Sequence, residues 1–216
     1  MSMSQRFLST ALWAALVIGM MSIIGASVWS GRRTSVNLAG TSSGQPSETL
    51  PVLFPPPKFS LINQDGLPTT DADLAGHAWV AAFIFTQCAG PCPMMSTKMS
   101  ELQDRIPDRS IKLVSISVDP ERDTPAVLKE YAAKFKADTT RWFFLTGEKA
   151  AIIKLSADLK LTLPDASDPM LHSTRFVLLD AEGNVRGTYD GKEDDSVARL
   201  VDDAKQLTIT EKAKLP

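Results

Sequence analysis

The stretch WVAAFIFTQCAGPCPMM, residues 79–95, joins an apolar run to a turn that holds both cysteines of the chain, Cys88 and Cys92. The run at 79–86 is rich in β-branched and aromatic residues and predicts a buried strand. The proline and the helical apolar spacing after the second cysteine predict a helix over residues 93–106. The stretch therefore predicts a strand, a loop and a helix that present two thiols at one end of a sheet.

Apolar runs and helical patterns alternate through the rest of the chain. This alternation predicts a protein of the α/β class, with a central and partly parallel sheet flanked by helices. The segment DAEGNV at 180–185 predicts a hairpin, because its glycine suits a tight turn between strands. Further strands are predicted at residues 111–118, 141–147 and 175–180, and further helices at about 125–136, 148–159 and 195–206.

The amino-terminal segment, residues 7–29, contains no charged residue and is flanked by Arg6, Arg32 and Arg33. At about 1.5 Å per residue, a helix of this length crosses a hydrocarbon core of about 30 Å. A cleaved signal peptide is the alternative, although its apolar region usually spans about 7–15 residues. We therefore predict a membrane anchor over residues 1–29, whose orientation is not fixed by charge because arginines flank both ends. Under either alternative the rest of the chain is exported.

The chain after the anchor divides into a linker and one domain. Residues 30–57 are rich in Ser, Thr, Gly and Gln and end in LPVLFPPP, a composition that predicts a linker. Residues 58–216 form the predicted domain, and about 150 residues can bury a core without cross-links. The chain carries 23 Lys and Arg against 25 Asp and Glu, which leaves no basic footprint for a nucleic acid.

Two cysteines in one strand-to-helix turn can support several kinds of chemistry. Backbone N–H groups at a helix start lower the pKa of a thiol, so the turn favours thiolates that bind a soft metal ion or form a disulfide. A soft cation such as Cu(I) prefers sulfur, and imidazole is the next ligand to look for. The alternative is a permanent disulfide, or two cysteines without a chemical role, since cysteine is among the most buried residue types.

The chain offers two histidines as sources of imidazole, His77 and His172. His77 lies just before the cysteine strand, where we expect a turn or surface position. His172 precedes the strand predicted at 175–180. An antiparallel neighbour of the cysteine strand would begin at the cysteine end of the sheet, a parallel neighbour would begin at the other end, and periodicity fits both. Met94 and Met95 are predicted to fill the core rather than to bind copper.

The order of these motifs closely resembles the Sco/SenC family. The resemblance rests on the strand, CxxxCP and helix of the cysteine turn, on VSISVDPERDTPAVLKEYAAKF at 114–135, and on the His-Ser pair before RFVLLD. It spans most of residues 58–206. It implies a thioredoxin-like fold, with a central mixed sheet flanked by helices, attached to an N-terminal transmembrane helix. It also implies a membrane-anchored copper metallochaperone that serves the binuclear copper site of cytochrome c oxidase.

Residue by residue, the resemblance places the metal ligands of the family on Cys88, Cys92 and His172. A cis-proline that faces the redox cysteines in thioredoxin-like relatives falls near Thr174, which implies that the histidine faces the cysteine turn. The family commonly has proline directly after the first cysteine, whereas here Pro91 precedes the second. This departure keeps the spacing of the thiols but moves the point at which the loop is stiffened.

Two aspartates in SVDPERDTP, residues 117–125, also need an interpretation. On residue type alone, Asp119 and Asp123 are turn formers or helix caps. In the family this block lies near the metal face, so the resemblance makes Asp119 a secondary candidate for docking a partner or orienting the site.

These implications give two functional hypotheses. In the first, the chain binds one copper ion, as Cu(I), Cu(II) or both, and exchanges it with the copper-bearing subunit of cytochrome c oxidase or with another copper chaperone. In the second, it is a thiol-disulfide oxidoreductase that keeps the cysteines of a partner reduced. His172 separates the two, because disulfide exchange needs no imidazole. Both hypotheses place the domain on the exported, periplasmic-type side of a membrane. A peroxidase is disfavoured, because QCAGPC supplies neither the Arg nor the Thr/Ser-rich pocket that such an enzyme uses.

Overall fold

The computed structural model describes residues 50–161 and 173–214, with side chains described up to residue 210. Within these residues, seven strands form one sheet in the order β2-β1-β5-β4-β3-β6-β7. The strands are β1 Ser60–Asn63, β2 Pro68–Thr70, β3 Trp79–Ile84, β4 Lys112–Ser117, β5 Trp142–Thr146, β6 Arg175–Leu179 and β7 Val185–Asp190. The helices are α1 Asp71–Leu74, α2 Pro91–Arg105, α3 Pro125–Lys134, α4 Lys149–Asp158 and α5 Asp194–Lys214.

The sheet is mixed, as the sequence predicts. The three central strands β3, β4 and β5 run parallel, whereas β1, β2, β6 and β7 pair antiparallel with their neighbours. The predicted hairpin at 180–185 is confirmed: the amide of Gly183 donates to the carbonyl of Asp180 at 2.9 Å, and Gly183 has a φ of 83°. Strands β1 and β2 and the short helix α1 were not predicted.

Both faces of the sheet are covered, which explains why β3 is apolar at every position. Alternate residues of a strand point to opposite faces, so each half of β3 belongs to a different apolar cluster. Val80, Ala82 and Ile84 pack in the cluster that includes residues of α2, α3 and α5. Trp79, Ala81 and Phe83 pack in the cluster that includes residues of α4.

Helix α2 begins two residues before its predicted start, at Pro91 rather than Pro93. Proline is tolerated in the first turn of a helix because its missing N–H has no partner there. The second cysteine therefore lies inside the helix. At the other end, the buried guanidinium of Arg141 donates to the carbonyls of Gln103, Ile106 and Asp108, which fixes the point where the helix ends.

The direction of β6 answers the question that periodicity leaves open. Strand β6 pairs antiparallel with β3, with Trp79 opposite Leu179 and Ala81 opposite Val177. The start of β6 therefore lies at the end of the sheet where β3 ends, which is the end that carries the cysteine turn. His172 itself lies outside the described residues.

The chain before residue 58 contacts the domain along the outer edge of β7. The amide of Leu53 donates to the carbonyl of Val185 at 2.8 Å, and Phe54 forms an isolated bridge with the same residue. Arg186 also donates to the carbonyl of Leu50. In the described part of the chain, no helix combines the length and apolarity needed to cross a bilayer, and the predicted anchor at residues 7–29 lies outside that part.

Candidate metal centre

The first cysteine lies in the loop that connects β3 to α2. The amide of Cys88 donates to the carbonyl of Phe85 at 3.3 Å, which closes a tight turn directly after the strand. The amide of Gly90 donates to the Cys88 sulfur at 3.4 Å. Gly90 is also the residue that precedes helix α2. The backbone of the loop therefore holds the Cys88 sulfur at the amino end of the helix.

The second cysteine lies in the first turn of α2. Cys88 and Cys92 are 7% and 3% exposed, and both belong to the apolar cluster that contains Met95 and Tyr131. Besides burial, Cys88 contributes to the raised pKa of the Cys92 thiol, which indicates that the two side chains interact. The turn therefore brings the two sulfur atoms together in a buried position, as the sequence predicts.

The electrostatic surroundings of Cys92 differ from the expectation. Burial raises the pKa of the Cys92 thiol to about 12, and the hydrogen bond from Cys88 and the negative charge of Asp123 act in the same direction. The prediction that the helix start lowers the thiol pKa is therefore wrong for Cys92, because desolvation of the thiolate outweighs the helix dipole. The Cys92 thiol therefore stays protonated at neutral pH until a cation compensates the charge of its thiolate.

The donor set fits a soft metal ion. Two adjacent sulfur atoms in an apolar setting suit Cu(I), which prefers thiolate ligands, better than a hard cation such as Mg²⁺. Within residues 50–161 and 173–214, no three His, Cys, Asp or Glu side chains come close enough together to hold a metal ion. Among the described residues, the two thiols of the cysteine turn are therefore the candidate ligands.

The chain directly after His172 is connected to the cysteine helix. The amide of Gly191 donates to the carbonyl of Thr174 at 2.7 Å. Gly191 in turn packs against Met95, which follows Cys92 by three residues on α2. Although His172 lies outside the described residues, the segment that it enters is fixed beside the helix that carries Cys92.

The remaining candidates for metal ligands lie away from the thiols or serve other contacts. His77 precedes β3, at the opposite end of that strand from the cysteine turn, and its amide donates to the carbonyl of Leu74 at 3.1 Å. Met95 is fully buried in the core and Met94 packs partly buried against it, as predicted. His77 therefore has the position expected of a turn residue, and Met94 and Met95 have the positions expected of core residues.

Asp119 has the contacts of a turn former. Its carbonyl accepts hydrogen bonds from the amides of Arg122 and Asp123, and its amide donates to the Ser117 hydroxyl at 3.1 Å. Its carboxylate pairs with the guanidinium of Arg122 at 2.5 Å. The structure therefore gives the Asp119 carboxylate a partner within its own turn.

Asp123, which the sequence interpretation ranked below Asp119, lies closer to the cysteine turn. It is fully buried, and it accepts hydrogen bonds from both the amide and the hydroxyl of Thr86, two residues before Cys88. The only sequence signal for this role is the position of Asp123 directly before Thr124, the residue that caps α3. That signal indicates a loop residue and says nothing about its partners.

Comparisons with known proteins agree with the motifs. The model of the SCO1/SenC family matches residues 55–208. The SCO1 protein homolog of Bacillus subtilis is 34% identical over 158 residues, which cover 69% of this chain and 81% of that protein.

Two solved structures share the fold. BsSco belongs to the Sco family of cytochrome c oxidase assembly proteins and contains a disulfide switch; its structure is 30% identical, with a TM-score of 0.64, over 72% of this chain and 94% of that chain. The copper-bound structure of Arabidopsis thaliana ScoI is 28% identical, with a TM-score of 0.59, over 70% of this chain and 98% of that chain. The mixed sheet with flanking helices thus fits the expected thioredoxin-like fold. The paired cysteines, the direction of β6 and the match over residues 55–208 together show that this chain belongs to the SCO1/SenC family.

Proposed function

We propose that this chain is a copper metallochaperone that binds one copper ion through Cys88, Cys92 and His172 and matures the binuclear copper site of cytochrome c oxidase. The observation that carries the proposal is the pair of buried thiols in the turn between β3 and α2. Membership of the SCO1/SenC family supports it, since a relative has been crystallised with copper bound and another belongs to a family of oxidase assembly proteins.

In this proposal the cysteine turn binds the copper ion as cargo. The two thiols lose their protons when they bind the ion, so loading releases protons to solvent. Burial of the sulfur atoms limits their contact with water and oxidants. Release then follows by exchange of ligands with the thiols or imidazoles of a partner, which is either the copper-bearing subunit of the oxidase or another copper chaperone.

The assignment of His172 as the third ligand is supported by the strand that follows it. Strand β6 begins at the cysteine end of the sheet, and the Thr174 carbonyl is hydrogen-bonded to Gly191, which packs on α2. Thioether or carboxylate ligands are less well supported, because Met95 is buried in the core and the Asp119 carboxylate is paired with Arg122.

The experiment is a competition titration of the reduced full chain in detergent with Cu(I) and Cu(II). Two thiolates can hold Cu(I) in a linear arrangement, so His172→Ala should weaken Cu(I) binding modestly. It should weaken Cu(II) binding much more, because Cu(II) favours imidazole. His77→Ala is the matched control and should leave both affinities unchanged. Wild-type Cu(II) affinity in His172→Ala, with an unchanged sulfur-to-copper charge-transfer band, would show that the ligand assignment is wrong.

A second candidate function, a thiol-disulfide oxidoreductase, is favoured by the same placement of two buried thiols in one turn. In this reaction the Cys88 and Cys92 thiols reduce a disulfide of the partner. A Cys88–Cys92 disulfide and two partner thiols form, and two electrons and two protons move to the partner. Incubation of the reduced chain with an oxidised partner peptide tests it. His172→Ala is compared with the wild type in both assays. If the variant reduces the peptide at the wild-type rate and also binds copper with wild-type affinity, this function is favoured over metal delivery.

We also propose that residues 1–29 anchor the chain in a membrane, that residues 30–57 link the anchor to the domain, and that residues 58–216 lie on the exported side. The uncharged stretch at 7–29 supports the anchor. Carbonate washing of membranes should leave the full chain in the pellet. Release into the supernatant, or a mature amino terminus near Ser30, would contradict it.

Asp119 remains a secondary proposal for docking a partner. Its carboxylate lies in the turn after β4, where the Asp119 side chain is 16% exposed and pairs with Arg122, which is 56% exposed, so the pair can present charge to another protein. Asp119→Asn should then slow copper transfer to the partner without changing the copper affinity of the isolated chain. An unchanged transfer rate would remove Asp119 from the list of functional residues.

A further inference from the structure

We propose that Asp123 is a positioning residue for the cysteine turn, and that its buried negative charge shifts the copper preference of the site toward Cu(II). The proposal rests on the proposed function as far as copper is concerned. The claim that Asp123 positions the cysteine turn concerns only the described residues and can be tested without metal.

The contacts of Asp123 join three segments of the domain. Its carboxylate accepts hydrogen bonds from the Thr86 amide at 3.1 Å, from the Thr86 hydroxyl at 2.6 Å and from the Ser117 hydroxyl at 2.5 Å. Thr86 belongs to the turn that leads to Cys88, and Ser117 ends strand β4. Asp123 therefore fixes the cysteine turn to the carboxyl end of the neighbouring parallel strand.

The direction of these hydrogen bonds identifies Asp123 as the acceptor. A backbone amide can only donate, which settles the bond from Thr86 N–H. The Ser117 hydroxyl already accepts a hydrogen bond from the Asp119 amide, so its own proton is available for Asp123. The three bonds converge on one carboxylate, which makes the arrangement more rigid than a single contact would.

The charge of Asp123 has no cationic partner in the part of the chain that the structure describes. Arg122, its neighbour in sequence, pairs with Asp119 instead. No Lys or Arg within residues 50–161 and 173–214 forms an ion pair with Asp123, although the residue is fully buried. Because no cation among the described residues pairs with it, a carboxylate at this position is a source of negative potential inside the cluster.

That potential reaches the thiols. The Asp123 carboxylate is bonded to both the amide and the hydroxyl of Thr86, which precedes Cys88 by two residues, so the carboxylate lies beside the cysteine turn. A negative charge stabilises a divalent cation more than a monovalent one bound to the same ligands. Removal of the charge should therefore weaken Cu(II) more than Cu(I).

The test compares Asp123→Asn with Asp138→Asn. Asparagine keeps the shape of Asp123. Its oxygen can still accept from the Thr86 amide and the Ser117 hydroxyl, and its NH2 group can donate to the Thr86 hydroxyl oxygen, so this variant removes mainly the charge. Asp138 precedes β5 at the opposite end of the sheet and serves as the control for loss of a carboxylate. We expect Asp123→Asn to change the ratio of the Cu(II) and Cu(I) dissociation constants by about tenfold in favour of Cu(I). An unchanged ratio, or the same change in Asp138→Asn, would contradict the proposal that the charge of Asp123 shifts the copper preference of the site.

A second variant separates position from charge. Thr86→Val removes the hydroxyl that Asp123 holds but keeps the carboxylate, so it should weaken Cu(I) and Cu(II) by similar factors and leave their ratio unchanged. A changed ratio in Thr86→Val would show that geometry, rather than charge, sets the preference.

The metal-free readout is amide hydrogen exchange, measured by NMR. The Thr86 amide should be protected in the wild type and should exchange at least about tenfold faster in Asp123→Ala, which cannot accept its hydrogen bond. If the Thr86 amide in Asp123→Ala exchanges at the wild-type rate, the proposal that Asp123 positions the cysteine turn is wrong. If wild-type chain binds neither copper ion, the proposed function fails, while the exchange experiment still decides whether Asp123 positions the turn.

Discussion

The side chain of Met95 lies against Gly191 so closely that a Cβ atom at position 191 would overlap its sulfur atom. This contact joins the cysteine helix α2 to the loop after β7. Gly191 also donates to the carbonyl of Thr174, at the entry to β6. One glycine therefore couples the helix that carries Cys92 to the segment that follows His172.

The first prediction concerns Gly191→Ala. The added methyl group would meet Met95 and also a ring carbon of Phe176 at 3.0 Å. Overpacking of a core typically costs about 1–3 kcal/mol, so the free energy of unfolding should fall by an amount in this range. Urea unfolding followed by circular dichroism measures it.

A double-mutant cycle provides the control for Gly191→Ala. Met95→Ala removes the sulfur atom that the new methyl group would overlap, so Gly191→Ala should cost less in that background than in the wild type. Equal costs in the two backgrounds would show that the contact with Met95 does not determine the effect.

The second prediction is that Cys88 and Cys92 form a reversible disulfide. Both cysteines lie in one strand-to-helix turn and are buried in the same apolar cluster. Because copper binding requires the thiols, the oxidised chain should not bind Cu(I) until it is reduced. Mass spectrometry after thiol alkylation should find two labels on the reduced chain and none on the oxidised chain. Two labels after every oxidising treatment would rule out the disulfide.

The third prediction concerns the end of helix α2. Arg141→Met leaves the carbonyls of Gln103, Ile106 and Asp108 without their guanidinium donor in a buried position. Loss of hydrogen bonds from a charged donor to buried acceptors should lower the free energy of unfolding by about 2–4 kcal/mol.

The neighbouring Arg109 supplies the matched control. Its side chain is 66% exposed and pairs with Asp138 on the surface, so Arg109→Met should change stability by less than about 1 kcal/mol. Similar losses for both arginine variants in urea unfolding would mean that burial of Arg141 is not the cause.

The fourth prediction is an alkaline limit on stability. Burial raises the pKa of Tyr131 to about 12 from an ordinary value of 10.0. Burial and the hydrogen bond to Asp203 also raise the pKa of Tyr189, the other tyrosine of the chain. Between pH 10.0 and about 12, Tyr131 keeps its proton in the folded chain but has lost it in the unfolded chain. The free energy of unfolding therefore falls as the pH rises above 10.0.

Tyrosinate absorbance and circular dichroism, recorded together during an alkaline titration, check this prediction. The absorbance should rise only as the helical signal disappears, and Tyr131→Phe should remove about half of the rise, because the chain has two tyrosines. Tyrosinate that forms near pH 10.0 while the fold persists would contradict the raised pKa values.

The sequence by itself determined the fold class, most of the elements and the cysteine turn. Strand β3 could be recognised because it is buried on both faces and is therefore apolar along its length. Cys88 and Cys92 could be recognised because one turn brings neighbours in sequence together. Strands β1 and β2 could not be recognised, because they are only four and three residues long and form through pairing with other strands.

The tertiary structure alone decided the relationships between distant segments. The direction of β6 beside β3 follows from the path of the chain, and the periodicity of a strand is the same in both directions. Asp123 reaches Thr86 across 37 residues because the parallel strands β3 and β4 end side by side. The pKa of Cys92 is raised because packing removes water from the thiol, and that desolvation outweighs the local effect of the helix start, which was all that the sequence could reveal.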